Sequence, residues 1–222
     1  MRPMAAEELF DLCDEWGQPL GLAKPRDAVH RDGDWHRSFH CWLLATASSE
    51  PSIMVQRRAH DKDTWPGFWD VSVAGHYAAG EGIEGGLREL REEIGLHASL
   101  RELRIAGRRR EEHQHPNGLI DREVQDVYFL DRGVDLLVLR LSREVMALAF
   151  LTPAALVGLA DGSLPGLTTV GSTVDARGLA YPGRIEVMAS EVVPRTDGYY
   201  ERVANCAQRL ARGEPLDQPE WW

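Results

Sequence analysis

Residues 75–96 read GHYAAGEGIEGGLRELREEIGL, and this stretch decides how the rest of the chain is interpreted. Its second half predicts a helix with Glu89, Glu92 and Glu93 on one face, because residues three and four apart are neighbours on a helix. Gly95 predicts the end of this helix, since glycine readily adopts the left-handed conformation common there. Three carboxylates on one face repel one another unless a cation lies between them.

This carboxylate face has two interpretations. Carboxylate oxygens are hard ligands, so the face suits Mg²⁺ or Mn²⁺. The alternative is a solvated helix face on which Arg88 pairs with Glu92 and Arg91 points into water. The helix taken alone leaves both interpretations open.

Composition predicts a soluble, cytoplasmic protein with one sizeable core. The chain has 222 residues, 43% of them hydrophobic, and no apolar run approaches the length of a membrane span. The N-terminus is acidic, whereas a signal peptide is basic and then apolar. Cys13, Cys41 and Cys206 are odd in number and far apart, which predicts reduced thiols. A formal net charge of -10 disfavours nonspecific binding to nucleic acid, so local cations or a metal must receive any anionic substrate.

Short apolar runs separated by turns predict strands over much of the chain. A β-hairpin is expected within Phe10–Lys24, and an antiparallel pair is expected from Phe39–Ala47 and Ile53–Gln56. Loops are expected over Ser48–Ser52 and His113–Gly118, and further strands over Leu100–Ala106 and Asp121–Leu130. In the second of these, alternation places residues two apart on the same side.

The part of the chain after residue 133 carries one strand prediction, two helix predictions and one range without assignment. Val134–Leu141 is interpreted as a further strand or an edge of the sheet, whereas 164–195 is rich in Gly, Pro and Thr and receives no assignment. Thr152 is a predicted N-cap, before a proline, of a helix lasting to about Ala160. A last helix is expected over Tyr199–Ala211. Without an internal repeat or a linker, one α/β domain is the economical prediction.

Residues 75–96 resemble the signature of the Nudix hydrolases, in which a glycine and a glutamate precede the pattern R-E-U-x-E-E-x-G-U, with U aliphatic. The second half matches in full, at Arg88, Glu89, Leu90, Glu92, Glu93, Gly95 and Leu96. In the first half six residues separate Glu81 from Arg88, one fewer than in the signature. The phase of the helical glutamates is unaffected. The resemblance implies an α/β/α sandwich with a mixed sheet, formed by a single Nudix domain with extensions over 1–36 and about 161–222.

The same resemblance implies divalent-metal-dependent hydrolysis of a diphosphate linkage. It assigns Glu89, Glu92 and Glu93 to catalysis and to binding Mg²⁺ or Mn²⁺. The general base is expected to be Glu123, then Asp121, or a glutamate of the motif itself. The structural positions of the motif are Gly75, Glu81, Arg88 and Gly95. Arg88 is expected to brace the helix by pairing with a carboxylate of the motif, and Gly75 to let the backbone pass close to the metal site.

A narrower resemblance is to the Nudix branch related to type I isopentenyl-diphosphate isomerase. The segments that carry it are DEWGQPLG (14–21), KPRDAVHRDGDWHR (24–37), QRR (56–58) and DKDTWPGFWDVSVAGH (61–76). The isomerases have a catalytic cysteine where this chain has Ala74, whose methyl group cannot transfer a proton. They also tend to have a degraded glutamate motif, whereas this chain keeps Glu92 and Glu93. Both differences favour hydrolysis over isomerisation.

The isomerase resemblance also implies a second metal site. The matching positions here are His30, His36, His76, Asp121 and Glu123. The alternative is that each histidine is a loop or packing residue with a local hydrogen bond. The glutamate helix ranks above this set as the catalytic metal site.

The sequence leaves the substrate and the partners open. The expected substrate is a nucleoside diphosphate derivative or a related organic diphosphate, with phosphate contacts from Arg57 or Arg58. Trp65, Trp69 or Tyr77 can stack on a base or line a prenyl pocket. The alternatives are an isomerase-like enzyme, a prenyl diphosphate hydrolase and a Nudix domain that binds a ligand without turnover. No nucleic-acid or membrane partner is expected, and a homodimer is compatible with the sequence.

Overall fold

The chain forms a large mixed β-sheet with helices on both faces. A computed structural model describes residues 8–46, 50–133, 136, 138–174, 179–216 and 220–221. In chain order the elements are β1 (Leu9–Cys13), β2 (Pro19–Pro25), α1 (Arg26–Asp32), β3 (His36–Ala45), β4 (Ser52–Arg58), β5 (Trp69–Asp70), β6 (Val73–His76), α2 (Ile83–Ile94), β7 (Leu103–Gln114), β8 (Ile120–Asp131), β9 (Val145–Leu151), α3 (Pro153–Ala160), β10 (Gly166–Val174), β11 (Ala180–Met188), a 3-10 turn (Ala189–Glu191), α4 (Tyr199–Ala211) and β12 (Glu220–Trp221).

The sheet combines parallel and antiparallel pairs, as predicted. Its main path runs β11-β10-β9-β4-β3-β8-β7-β12, with β6 paired to β3 and β5 to β4. The central pair β3 and β8 is parallel and places His36 opposite Glu123. Strands β7 and β12 are also parallel, whereas β3 with β4, β4 with β9 and β7 with β8 are antiparallel.

Alternation along β3 divides the core between the two faces of the sheet. Cys41 and Leu43 lie in one hydrophobic cluster with Leu90 of α2. Trp42 and Leu44 lie in the other cluster, with buried side chains of α3 and α4. Because successive strand residues point to opposite faces, both layers of helices pack on the same strands. The predicted α/β/α sandwich is therefore confirmed.

Several predicted elements agree with the structure. The hairpin is formed by β1 and β2, with Phe10 opposite Lys24. The expected antiparallel pairing of β3 with β4 is also present. Thr152 caps α3, since its hydroxyl oxygen accepts a hydrogen bond from the Ala155 N–H at 3.1 Å. Helix α4 has the predicted bounds, and Gly95 ends α2 in the left-handed conformation at φ 72°.

The strand expected over Val134–Leu141 is wrong, because the described residues of that range form turns and irregular backbone. Their leucines pack into the core cluster beneath α2. The backbone N–H of Arg140 donates to the Ile94 carbonyl at 2.9 Å, and that of Ser142 donates to the Glu93 carbonyl at 2.8 Å. The segment thus satisfies carbonyl groups at the end of α2 instead of joining the sheet.

Other differences concern strand length and segments without a prediction. Strand β7 begins at Leu103 and continues to Gln114, beyond the predicted end at Ala106 and into the expected loop. The unassigned range 164–195 contains the β10–β11 hairpin, and α1 was not predicted. The loop expected after Ala47 lies partly outside the described residues. No helix in the described part of the chain is long and apolar enough to cross a membrane.

Candidate active site

A polar cavity of 460 Å³ brings together most of the side chains that the sequence singled out. Those in its lining are His30, Arg58, Trp65, His76, Arg88, Glu89, Glu92, Asp121 and Glu123. Glu93 and His36 lie just behind the wall, at 3% and 0% exposure. The cavity therefore spans both the glutamate helix and the histidine cluster.

Arg88 is the centre of the glutamate helix. Its Nη1 lies 2.8 Å from Glu89 Oε1 and 3.1 Å from Glu92 Oε2. Its Nη2 lies 3.0 Å from Glu81 Oε2, so the shortened loop still brings Glu81 to the helix. Glu81 also accepts a hydrogen bond from the Ala78 N–H at 3.0 Å. One guanidinium thus holds three carboxylates in a fixed arrangement.

Two glutamates of α2 beside the cavity are largely withdrawn from solvent: Glu93 is buried, and Glu89 is half-buried and paired with Arg88. Glu93 accepts hydrogen bonds from Gln56 Nε2 at 3.1 Å and from the Ala74 N–H at 3.4 Å. Burial raises the pKa of Glu93 to about 8. Burial also raises the pKa of Glu89 to about 7, although the charge of Arg88 opposes the shift. A divalent cation would relieve this desolvated charge, so these carboxylates fit a hard metal ion.

Gly75 leaves the space that Glu89 occupies. A Cβ atom at this position would lie 2.3 Å from Glu89 Cδ. Strand β6 pairs with β3 at Gly75 and Phe39, so its backbone cannot move away without breaking the sheet. The missing side chain is therefore what allows β6 to pass so close to the carboxylate of Glu89.

The histidine cluster joins four separate elements. His30 comes from α1, His36 from β3, His76 from β6 and Asp121 from β8, and one ligand atom of each lies within 4.8 Å of the others. Phe10 of β1 stacks on two of the imidazoles, with ring centroids 5.3 Å from His36 and 4.6 Å from His76. The N-terminal hairpin thus forms the apolar support of the cluster.

The donor atoms of the cluster fit a metal ion. His30 Nε2, His36 Nε2 and Asp121 Oδ1 are buried without a hydrogen-bond partner among the described residues. Burial lowers the pKa of His30 to about 3 and that of His36 to about 4, which keeps both imidazoles neutral, as metal ligands must be. His36 Nδ1 lies 3.1 Å from the Asp34 carbonyl oxygen, so its other nitrogen is oriented towards the cluster. Three orphaned polar atoms facing one another are rare in a folded chain.

The two carboxylates of β8 are in different states. Glu123 Oε1 lies 2.9 Å from His76 Nε2, and Oε2 accepts from Ser38 Oγ and Gln125 Nε2, both at 2.7 Å. Although burial opposes it, the hydrogen bond and charge of His76 hold the pKa of Glu123 well below its usual range. Burial, followed by the charge of Glu123, raises the pKa of Asp121. Both side chains face the cavity, as the alternation of the strand predicted.

The neighbouring arginines at the end of β4 point in opposite directions. Arg57 leaves the cavity, and its Nη2 lies 2.7 Å from Glu191 Oε1. Arg58 lines the cavity, where Nε and Nη2 donate to the carbonyl and hydroxyl oxygens of Thr64 at 3.0 and 2.9 Å. Of this pair, Arg58 alone is placed to meet a molecule in the cavity.

Of the three candidate aromatic residues, Trp65 lines the cavity, whereas Trp69 and Tyr77 do not. Trp69 and Tyr77 are 1% and 5% exposed and belong to the two core clusters, so their side chains pack in the core and do not line the cavity. Trp65 lies in the cavity lining, 4.8 Å from the His113 ring, with an unusual φ of 48°. A non-glycine residue in that conformation is strained, and such strain is common at functional sites.

Sequence reasoning missed several polar side chains that contact the predicted site residues or one another. They are Ser38, Gln56, Glu111, Gln125 and Arg195, of which all except Gln56 lie in the cavity lining. The alternation of β8 could have identified Gln125, since it lies two residues beyond Glu123. The others are brought to the site only by tertiary structure.

The α/β/α sandwich and the glutamate-rich helix that lines its cavity agree with the resemblance found in the sequence, and comparison with known proteins identifies the family. The NUDIX domain profile matches residues 34–167, and the chain belongs to the Nudix family. It is 35% identical over 198 residues to an uncharacterized Nudix hydrolase of Clostridium acetobutylicum, covering 89% of this chain and 95% of that protein.

Two further comparisons agree. An isopentenyl-diphosphate Delta-isomerase of Paenarthrobacter aurescens is 35% identical over 127 residues, which are 56% of this chain and 66% of that protein. This similarity confirms the resemblance to the isomerase-related branch. A solved structure from Deinococcus radiodurans has a TM-score of 0.51 at 23% identity, covers 70% of this chain and 89% of that one, and shows the same fold. The chain is accordingly a Nudix hydrolase.

Proposed function

We propose that this protein hydrolyses a diphosphate linkage in a small organic molecule, using Mg²⁺ or Mn²⁺ held by Glu89, Glu92 and Glu93. The main support is the pair of carboxylates beside one cavity whose pKa values burial raises, the buried Glu93 and the half-buried Glu89. When bound, a divalent ion neutralises charge that develops on phosphate oxygens and makes water a stronger nucleophile. Carboxylates outnumber arginine and lysine side chains in the lining, so an anionic substrate needs such ions to enter.

The side chains of the cavity have distinct proposed tasks. Arg88 keeps the carboxylates of α2 in place, and Arg58 contacts a phosphate oxygen. A glutamate of the motif is the proposed base that accepts the proton of the attacking water. Glu123, the first candidate from the sequence, already accepts three hydrogen bonds. Asp121, the second, belongs to the histidine cluster, and burial raises its pKa. We further propose that the histidine cluster, with Asp121 and with Glu123 behind His76, holds a second metal ion.

The cavity favours a polar substrate. Among the described lining residues, Trp65 and Ala74 are the only ones with predominantly apolar side chains. A prenyl group would leave most of this polar surface unpaired, which costs free energy, whereas a ribose or another sugar can hydrogen-bond to it. We therefore propose a nucleoside diphosphate derivative as the substrate, in preference to a prenyl diphosphate.

An isomerase-like reaction is the second candidate. Its support is the assembled histidine cluster together with the similarity to an isopentenyl-diphosphate isomerase. Against it, Ala74 lines the cavity where the isomerases have their cysteine. A methyl group cannot donate or accept a proton, so that route lacks its acid.

A substrate screen tests the proposed function. Nucleoside diphosphate derivatives and prenyl diphosphates are incubated with Mg²⁺ and the wild type, Glu92→Gln or Glu93→Gln. Hydrolysis by the wild type that falls strongly in both variants is expected. Glu112→Gln is the matched control, because Glu112 is exposed and pairs with Arg122 outside the cavity. Turnover that survives both substitutions overturns the metal-helix mechanism. Conversion of isopentenyl to dimethylallyl diphosphate supports the second candidate, and ligand binding without turnover supports a non-catalytic domain.

The C-terminal residues are proposed to belong to the same folding unit as the Nudix domain. Tyr199 of α4 accepts a hydrogen bond from Trp42 Nε1 at 2.9 Å and lies 2.9 Å from His40 Nδ1. Both partners belong to β3, in the centre of the sheet. Cytoplasmic location and a homodimer stay predictions.

A further inference from the structure

A chain of polar side chains leads from the histidine cluster to the segment before α4, and the proposed hydrolysis does not use it. Gln125 Nε2 donates to Glu123 Oε2 at 2.7 Å and to Glu111 Oε2 at 2.8 Å. Arg109 donates to Gln125 Oε1 at 2.5 Å and to Glu111 Oε1 at 2.9 Å. The Nε of Arg109 donates to Asp197 Oδ2 at 2.6 Å. Asp197 lies beyond the residues 34–167 that match the family profile.

These bonds permit one orientation of the Gln125 amide. Gln125 is 1% exposed and Arg109 is 2% exposed, so neither side chain has water as an alternative partner. The two amide hydrogens of Gln125 point at carboxylates, and its oxygen points at a guanidinium. A flipped amide would place its oxygen against Glu123 and Glu111 and its hydrogens against Arg109. The arginine therefore determines which way the amide faces.

The oriented amide in turn restrains Glu123. Gln125 and Ser38 both donate to Oε2, which leaves Oε1 for His76. A carboxylate that holds the second nitrogen of a ligating histidine fixes the ring and increases its basicity. Loss of the Gln125 donor would free the Glu123 carboxylate to rotate away from His76.

We propose that Gln125 is a positioning residue for the histidine cluster, and that Arg109 and Asp197 tie its orientation to the C-terminal segment. The affinity of the cluster for its metal is then set partly by a residue C-terminal to the matched Nudix region, Asp197. This inference rests on the second metal site of the proposed function. A purely structural network, which only fastens α4 to the sheet, would not affect metal affinity.

The chain offers a matched pair of variants for the test. Asp197 and Glu191 have 35% and 36% exposed side chains, and each pairs the C-terminal segment with an arginine of the sheet. Arg109, the partner of Asp197, bonds to Gln125, whereas Arg57, the partner of Glu191, lies outside the cavity lining. Asp197→Asn and Glu191→Gln therefore remove the same charge at the same exposure, but only the first disturbs the network.

The experiment is a Co²⁺ titration followed by visible absorption, which reports imidazole coordination. The proteins are the wild type, Gln125→Met, Asp197→Asn and Glu191→Gln, with His36→Asn to show that the ion binds at the cluster. We expect Gln125→Met to weaken Co²⁺ binding about tenfold or more, Asp197→Asn about threefold, and Glu191→Gln less than twofold. Thermal unfolding of the metal-free proteins reports the structural cost separately.

Wild-type affinity in Gln125→Met overturns the proposal, as do equal effects of Asp197→Asn and Glu191→Gln. If Gln125→Met does not fold, the difference in Co²⁺ affinity between Asp197→Asn and Glu191→Gln still tests the proposal. A wild type that binds no Co²⁺ at the cluster also overturns it, and hydrolysis by the same protein shows that the proposed function stands. Absence of hydrolysis together with the expected affinities indicates that the proposed function alone has failed.

Discussion

The glutamate helix and the histidine cluster line one cavity but hold their charge in different ways. Glu89, Glu92 and Glu93 come from two turns of one helix, and Arg88 compensates them only in part. The cluster gathers imidazoles from three elements around Phe10. In the first region burial raises the pKa of Glu89 and Glu93, so ionising them without a metal ion is costly. In the second the donors are already assembled, and burial keeps His30 and His36 neutral. The first should therefore respond strongly to pH, and the second to the loss of any one ligand.

The largest expected effect is on metal binding by the cluster. His36→Asn removes a ligand atom that is fully buried and unpartnered, so Co²⁺ affinity should fall a hundredfold or more. Absorption titration measures this loss. His97→Asn is the control, because His97 is exposed and lies outside the cluster. Equal affinities in these two variants would remove the metal-binding interpretation of the cluster.

Gly75 of β6 and Gly86 within α2 allow the role of the helix in catalysis to be tested separately from its packing. A Cβ at Gly75 would meet the flexible end of Glu89, so Gly75→Ala should lower kcat/KM about tenfold and cost less than about 1 kcal/mol of stability. A Cβ at Gly86 would lie 2.3 Å from the buried Phe39 ring, so Gly86→Ala should cost about 3 kcal/mol. Denaturant unfolding and steady-state kinetics distinguish the two. Full activity in a stable Gly75→Ala variant would show that Glu89 has no role tied to its position.

The raised pKa of Glu93 should make the free energy of unfolding of the metal-free protein depend on pH. Since the pKa of Glu93 is raised to about 8, the native state keeps a proton that the unfolded chain has released. Stability is then highest below the unfolded pKa and falls as pH rises towards 8. Between pH 6.5 and 8.5 the loss should be about 2 kcal/mol, or roughly 5 °C in Tm. The buried histidines contribute in the opposite sense near pH 6.5, where their imidazoles titrate in the unfolded chain, so the loss due to Glu93 is taken as the difference between the wild type and Glu93→Gln.

Differential scanning calorimetry in EDTA measures this loss. Glu93→Gln should flatten the decline and raise the Tm at pH 8.5, and Mg²⁺ should do the same for the wild type. An identical pH dependence in wild type and variant would contradict the raised pKa of Glu93.

The smallest effect concerns the cavity between the two regions. Arg58→Lys keeps a positive charge but loses the planar fork, so KM should rise about threefold to tenfold with little change in kcat. Arg57→Lys should leave KM within about twofold, because Arg57 pairs with Glu191 outside the cavity. Steady-state kinetics measure KM and kcat for both variants. A larger effect for Arg57 than for Arg58 would reverse the assignment of the phosphate contact.

The same two regions show how far the sequence alone could go. The glutamate helix was predictable because its residues are contiguous and helical spacing determines their common face. The cluster has no such local signal. His30 lies on a helix that was not predicted, and Asp121 is 91 positions further along the chain. Only family resemblance could suggest the set, and the structure then showed that the donors meet.

Errors in the fold have similar causes. The range 134–141 has the apolar content of a strand, but the N–H of Arg140, like that of Ser142 just after the range, bonds to the end of α2, which no periodicity reveals. Strand β10 is rich in glycine and threonine and lacks an apolar alternation, so it received no assignment. Gln125 could have been identified from its phase with Glu123, whereas its partner Arg109 could not, because their contact depends on the register of β7 against β8.

The central claim is that the glutamate helix, and not the histidine cluster, performs the hydrolysis. The direct test compares kcat/KM for Glu93→Gln and His36→Asn, at saturating Mg²⁺ and on the best substrate of the screen. We expect a loss of about a hundredfold or more for Glu93→Gln and less than about tenfold for His36→Asn. A loss in His36→Asn as large as that in Glu93→Gln, with both proteins folded, would contradict the claim.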